Sequence, residues 1–243
     1  MKSINENVMK FVFLAAACTS VLAVALICIF LFANGIPAMA KIGLPDFLFG
    51  MKWKPSNGLY GIFPFILGSI YVTAGAIVVG VPTALLLAIF LAFYCPKKLY
   101  APLKAMVNLL AGIPSVVYGL VGMLVLVPWV RETFNIADGA SLFAAIIVLA
   151  IMILPSIISV SLTALEAVPP EYEDASLALG ATPIETYFKV SVPAAKSGIA
   201  AAVVLGVGRA IGEAMAVMMV SGNVANMPKL FGSVRFLTTA VAS

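Results

Sequence analysis

Arg209 and Glu213 stand four residues apart in a run of small and aliphatic side chains, GVGRAIGEAMAV. On a helix that spacing places both on one face. A guanidinium is a planar fork that can grip two oxygens of an oxyanion at once, which a lysine cannot match. A carboxylate beside it would keep the fork oriented and stop it from holding an anion too tightly for release. The surrounding residues make the pair expensive, because an arginine at mid-membrane costs roughly 2.5–3.5 kcal/mol on insertion scales. Two readings stay open on these residues: a translocation path, or a structural ion pair that locks this helix to a partner. Gly208 and Gly212 form a GxxxG step that permits close helix approach, a weak signal in so alanine-rich a run.

A second constellation lies just upstream, in PPEYEDASLALGATPIETYFKVSVP from Pro169 to Pro193. The two prolines stop the preceding helix. Glu171 and Glu173 fall in the first turn of a new helix, where negative charge suits the positive helix end. Gly180 reads as the residue that ends it. Thr182-Pro183-Ile184-Glu185 is a capping box with proline at the first helical position. A second short helix should follow and stop before Pro193. An interfacial linker resting on lipid headgroups is the plain alternative. It would usually present a basic face, whereas this first helix is acidic.

Composition says what must position these residues. The chain has 243 residues, is 63% hydrophobic and 10% charged, and has a mean hydropathy of +1.15. A soluble domain carries about 25% charged residues. Long continuous apolar runs favour an all-α polytopic membrane protein over a barrel. Five spans are expected: Phe11–Ala33, an uncharged stretch within Lys54–Lys97, Ala105–Val130 with a break near Pro114, Ser141–Leu165, and Gly198–Val220. The first is too long for a signal-peptide core, despite flanking lysines and an Ala38-Met39-Ala40 sequence resembling a cleavage site. Lys97, Lys98 and Lys104 are expected in a compact basic turn. Seven basic residues against six on the two sides do not fix orientation.

Some chemistries are excluded. There is no histidine, and the three cysteines (Cys18, Cys28, Cys95) lack metal-ligand spacing and read as packing residues. No Walker phosphate cradle and no G-x-S-x-G elbow occurs, and no aspartate falls inside an expected span. Neither a cofactor, a metal nor a nucleic acid is called for. Ser115 and Tyr118 are lesser polar candidates, as compatible with helix packing as with a path.

Asp174-Ala175-Ser176, then Gly180, then Val190-Ser191-Val192-Pro193 resembles the EAA motif of ABC-importer permeases: E-A-A, three residues, G, nine residues, I-x-L-P. The departures are aspartate for glutamate, serine for alanine, and valines for isoleucine and leucine. Ile113–Gly122, Ala164–Thr182 and Gly208–Val217 are further similar to the phosphate-specific permease subunit of the PstC type. That resemblance covers about Gly61 to Thr239. It implies a MetI-like fold, with residues 1–57 a first transmembrane helix and external connection and residues 58–243 the permease domain. It implies a cytoplasmic coupling loop at about 167–197, with Glu173, Asp174, Ala175, Gly180 and Pro193 as its coupling residues, and a cytoplasmic N-terminus in a bacterial-type inner membrane. It implies a substrate path through Arg209 and Glu213. The implied partners are a second homologous permease subunit, a cytoplasmic ATPase dimer and an extracytoplasmic phosphate-binding protein. The family normally has one more span after Arg235–Thr239, so a final C-terminal span is expected to be missing from these residues. Rival readings are a permease for sulfate or molybdate, an ion-coupled secondary transporter, and a structural membrane subunit.

Overall fold

The computed structural model describes residues 2–242, with side chains from residue 8 onward. The chain divides into two compact units, residues 1–61 and 62–243.

The first unit is a helix followed by a small cap. Helix α1 (Lys2–Ile42) continues well past the apolar run at both ends. Its side chains from Val8 to Asn34 pack on nothing else within this unit, as suits a helix long and apolar enough to cross a membrane. Gly43 turns it into α2 (Leu44–Phe49), and a two-stranded hairpin follows, β1 (Trp53–Lys54) pairing antiparallel with β2 (Leu59–Tyr60).

The second unit is built around one buried helix, α7 (Leu142–Glu166). It is mostly apolar, and Leu149, Met152, Ile153 and Ile157 are almost completely buried. Against it pack α3 (Phe63–Ile89), α4 (Lys97–Gly112) and α11 (Lys196–Gly212). Lipid is as apolar as leucine, so helix association here rests on close packing rather than on exclusion of water. The small residues supply it. A Cβ on Gly80 of α3 would stand 2.9 Å from Ile153 Cδ1, and one on Gly206 of α11 would stand 2.5 Å from Ile157 Cδ1. The ridges of α7 thus enter grooves that only glycine leaves open.

Between these helices lie α5 (Ser115–Val121) and α6 (Val127–Phe134), joined through a π-helical turn at Gly122–Leu126. Beyond α7 come α8 (Pro170–Ala178), α9 (Pro183–Thr186), a π-helical turn at Tyr187–Ser191, and α10 (Val192–Ala194). After α11 the chain forms α12 (Met215–Val220) and α13 (Leu237–Ala242). The first amides of α7 are satisfied from outside the helix: Leu142 donates to the Gly232 carbonyl, Phe143 to Leu230, and Ala144 to the Ser141 hydroxyl.

Among the described residues, four helical stretches are long and apolar enough to cross a membrane: Val8–Ile42, Phe63–Tyr94, Ser115–Phe134 and Leu142–Glu166. A fifth follows only if the pair Pro183–Ala194 and Lys196–Gly212, bent by 68°, counts as one broken span. Three expectations are corrected. The third span does not begin at Ala105, because Ile113 and Pro114 are extended and separate α4 from α5. The residue before a proline is pushed out of helical geometry. Lys97, Lys98 and Lys104 are not a turn but lie along α4. The fifth span is not one helix, since it stops at Gly212 and restarts at Met215.

Candidate functional site

The break in the fifth span falls at Glu213, which is extended (φ −76, ψ 130) and caps the end of α11. Arg209 and Glu213 are therefore not a helix-face pair, and their side chains serve different neighbours. Arg209 Nη1 donates to Ser156 Oγ of α7 at 2.7 Å. The Glu213 carboxylate accepts from the Ala216 amide at 2.9 Å, closing the start of α12 on the other side of the break. The Glu213 carbonyl, freed from the helix, accepts from Thr238 Oγ1 at 2.9 Å. The same segment is anchored again where the Leu237 amide donates to Ser69 Oγ at 3.0 Å. These bonds explain how a helix can stop in mid-span with no proline: its loose polar groups have partners within the protein.

Glu213 also lines a cavity of about 10 Å³ with Ser69, Thr73 and Thr238, just under the space of one water. Arg209 and Glu213 thus sit four residues apart on one chain, with the fork turned to α7 and the carboxylate turned to the break. Sequence reasoning missed Ser156 and Thr238. Ser156 carried a faint signal, following Pro155 inside an apolar span.

The second break, at Ile113–Pro114, is bridged by the Tyr118 hydroxyl, which donates to the Leu110 carbonyl at 2.8 Å. That is a structural task, and it accounts for Tyr118. Beside it an open groove of 670 Å³ runs between α5–α6 and α7, lined by Val117, Val121, Trp129, Ile147 and Ile151 among others. It offers an anion nothing to bind.

The loop between α7 and α11 has the expected shape with one correction. Gly180 is left-handed at φ +87, two residues past the end of α8. Thr182 and Glu185 form a complete capping box: the Glu185 amide donates to Thr182 Oγ1 at 3.3 Å, and the Thr182 amide donates to Glu185 Oε2 at 3.1 Å. Glu185 also takes Lys189 Nζ at 3.0 Å. The Lys189 hydrogen bond and the donors of Thr182 hold its carboxyl down at about 2. Pro193, however, does not stop the second helix. The helical run passes through it, in the first turn of α10, and bends only at Ala195.

The coupling candidates divide into inner and outer groups. Glu173 is half-buried and accepts from Ser191 Oγ at 2.9 Å, tying α8 to the far side of the loop. Ser176 and Thr186 share a hydrogen bond of 2.9 Å one turn further on. Tyr187 stacks on Phe93, in the π-helical turn Phe90–Tyr94 that follows α3, with centroids 4.3 Å apart. Asp174, Ala175, Gly180 and Pro193 face outward. With them stand Leu179, 89% exposed, and Ile184, 60% exposed, an apolar tip that none of the described residues covers. A rigid loop with a bare apolar tip is suited to docking. Among the described residues no cluster of His, Cys, Asp or Glu could hold a metal.

Broken membrane helices around a buried helix, with a braced loop outside, define a polytopic transport subunit. The chain belongs to the family of binding-protein-dependent transport system inner membrane components, whose pattern matches residues 84–239. It is 39% identical over 245 aligned positions to a probable ABC transporter permease protein, YqgH of Bacillus subtilis, covering 99% of this chain and 79% of that one. It is 33% identical to the phosphate transport system permease protein PstC 2 of Mycobacterium tuberculosis, covering 89% and 73%. It is 32% identical to a probable PstC of Methanocaldococcus jannaschii, covering 88% and 74%. The fold is that of type I importer permeases. The inward-facing MetNI methionine ABC transporter overlays it with a TM-score of 0.50 at 24% identity, covering 69% of this chain and 74% of that chain.

Proposed function

We propose that this chain is the membrane-spanning permease subunit of an ATP-driven importer that moves inorganic phosphate into the cell. The observation that carries the reading is the braced loop with its exposed apolar tip in a chain whose relatives include PstC proteins. The loop faces the cytoplasm, as does the N-terminus, and its tip seats in a cytoplasmic ATPase dimer. A second, homologous permease subunit completes the path, and an extracytoplasmic phosphate-binding protein delivers the anion from the other side. The ATPase subunits supply the ATP chemistry. Their closure draws the two coupling loops together and opens the path outward, and hydrolysis resets it, a rigid-body alternation of access.

Arg209 is the anion-binding group of this path, and Glu213 positions it by fixing the break that follows. Ser156 holds the guanidinium ready when no anion is present. An anion arriving at Arg209 replaces a neutral hydroxyl acceptor by a charged one, which is an energetically favourable exchange.

The test is ATP-dependent phosphate uptake by the assembled transporter, wild type against Arg209→Gln. Loss of uptake with the complex still assembled supports the path. Normal uptake in the variant overturns the role of Arg209. Uptake of sulfate or molybdate in place of phosphate by the wild type overturns the substrate.

A further inference from the structure

Ser156, Ser159 and Thr163 recur along α7 at intervals of three and four residues, so they share one face of that helix. Ser156 is the acceptor of Arg209. Ser159 and Thr163 line a separate gap of about 120 Å³ between α7 and α4, and the facing wall carries Lys104 and Asn108, also four apart on one helix face. The helix rise of 1.5 Å per residue places Thr163 about 10 Å beyond Ser156, toward the end of α7 from which the loop springs.

Beside the gap the Lys104 ammonium meets the Tyr100 hydroxyl at 2.6 Å and the Glu166 carboxylate at 3.3 Å. Two hydroxyls, an amide and an ammonium thus line one gap whose remaining walls are leucine, isoleucine and valine. The Thr163 hydroxyl donates to the Ser159 carbonyl at 2.9 Å in the empty gap, and it would turn from that bond to donate to an oxyanion alongside the other three groups. Ser156 and Ser159 lie inside an apolar span, where polar groups are costly, while the Lys104–Glu166 pair stands 40% exposed at the end of that span.

We propose that this gap is a second oxyanion station, which receives the anion from Arg209 and passes it toward the loop end of the bundle. The proposal rests on the reading of Arg209 as part of the path. Glu166 makes the station reversible. It pairs with Lys104 while the gap is empty, and an entering anion takes over one acceptor position at the same ammonium. The cation is never left unpaired, and the anion is never held by an uncompensated charge. Binding that is only slightly better than the resident pair is what a transit site needs.

The test uses the assembled transporter in membrane vesicles, with Cys18, Cys28 and Cys95 replaced by alanine and a single Ser159→Cys or Thr163→Cys introduced. The probes are a negatively charged and a positively charged methanethiosulfonate reagent. The station predicts faster labelling by the anionic reagent, by about tenfold for one nearby partly screened charge. It also predicts slowing by inorganic phosphate, loss of the preference in Lys104→Gln and its retention in Glu166→Gln. Inert cysteines in an assembled complex overturn it. So does a preference that Lys104→Gln leaves intact, or equal loss in Lys104→Gln and Glu166→Gln, which would make the pair a simple latch. Protection by sulfate or molybdate but not phosphate upholds the station and overturns the phosphate reading instead.

Discussion

The Glu173 carboxylate accepts a hydrogen bond of 2.9 Å from the Ser191 hydroxyl, across eighteen residues of loop. Ser191 is fully buried and Glu173 half-buried, so the contact pins the start of α8 to the π-helical turn that leads into α11. A hydrogen bond to a charged group contributes about 1.5–3 kcal/mol. Ser191→Ala should loosen the loop by up to about that amount, leaving a half-buried acceptor that water can partly satisfy. Limited proteolysis between Ala178 and Thr182 should speed up. ATP hydrolysis by the assembled transporter should continue while uptake falls. An unchanged cleavage rate would show that the bond braces nothing.

Gly180 lies at φ +87 with nothing within 4 Å of where a Cβ would stand. The cost of Gly180→Ala is therefore backbone strain alone, about 1–2 kcal/mol for a left-handed residue with a side chain. Gly180→Asn should recover part of it, since asparagine tolerates that conformation. Hydrogen exchange across α8 reads the difference. Equal protection in all three proteins would count against the strain account.

The capping box makes the loop acid-sensitive in a defined window. The Glu185 carboxyl is held at about 2 by Lys189 and Thr182, below its ordinary value of about 4.5. A depressed carboxylate contributes stability that is present in full above the ordinary value and is lost as pH falls toward the folded one. Protection of the α9 amides should be level from neutral pH down to about 5 and should decline between about 4.5 and 2. Glu185→Gln should flatten that decline. A decline centred near pH 6 would point to another group.

Gly119 of α5 faces the backbone of α12: a Cβ there would meet Ala216 Cα at 2.8 Å and the Ala216 carbonyl oxygen at 3.1 Å. Backbone cannot rotate aside, so Gly119→Ala must push the two short helices apart. Overpacking of this kind costs about 1–3 kcal/mol. The thermal midpoint in detergent should fall, whereas Gly208→Ala, with open space around it, should leave it unchanged. Equal midpoints for the two variants would refute the close approach.

Much of this was legible from residues alone. Pro114 announced the third-span break, although the expected span ran through it. Thr182, Glu185 and Gly180 announced the loop turns, because caps and left-handed glycines are local devices written within four residues. Gly212–Ala214 announced nothing. The helix can end there because Thr238, distant in sequence, donates to the freed Glu213 carbonyl, while Ser69 holds the Thr238 segment in place by accepting from the Leu237 amide. Arg209 was found, but its partner was taken from spacing, which holds only while the helix continues. Ser156 was invisible as a partner until α7 and α11 were placed side by side.

The bend at Ala195 makes α11 a lever. The outer run Pro183–Ala194 and α11 meet there at 68°, joined by one residue. Arg209 lies about 20 Å along α11 from that fulcrum at 1.5 Å per residue. A tilt of about 5° about the fulcrum therefore displaces the Arg209 end of α11 by nearly 2 Å, from the same geometry. That exceeds what the 2.7 Å bond to Ser156 can follow. A nudge at the loop tip that would pass for thermal jitter there is, at the other arm, the difference between a guanidinium that is held and one that is free.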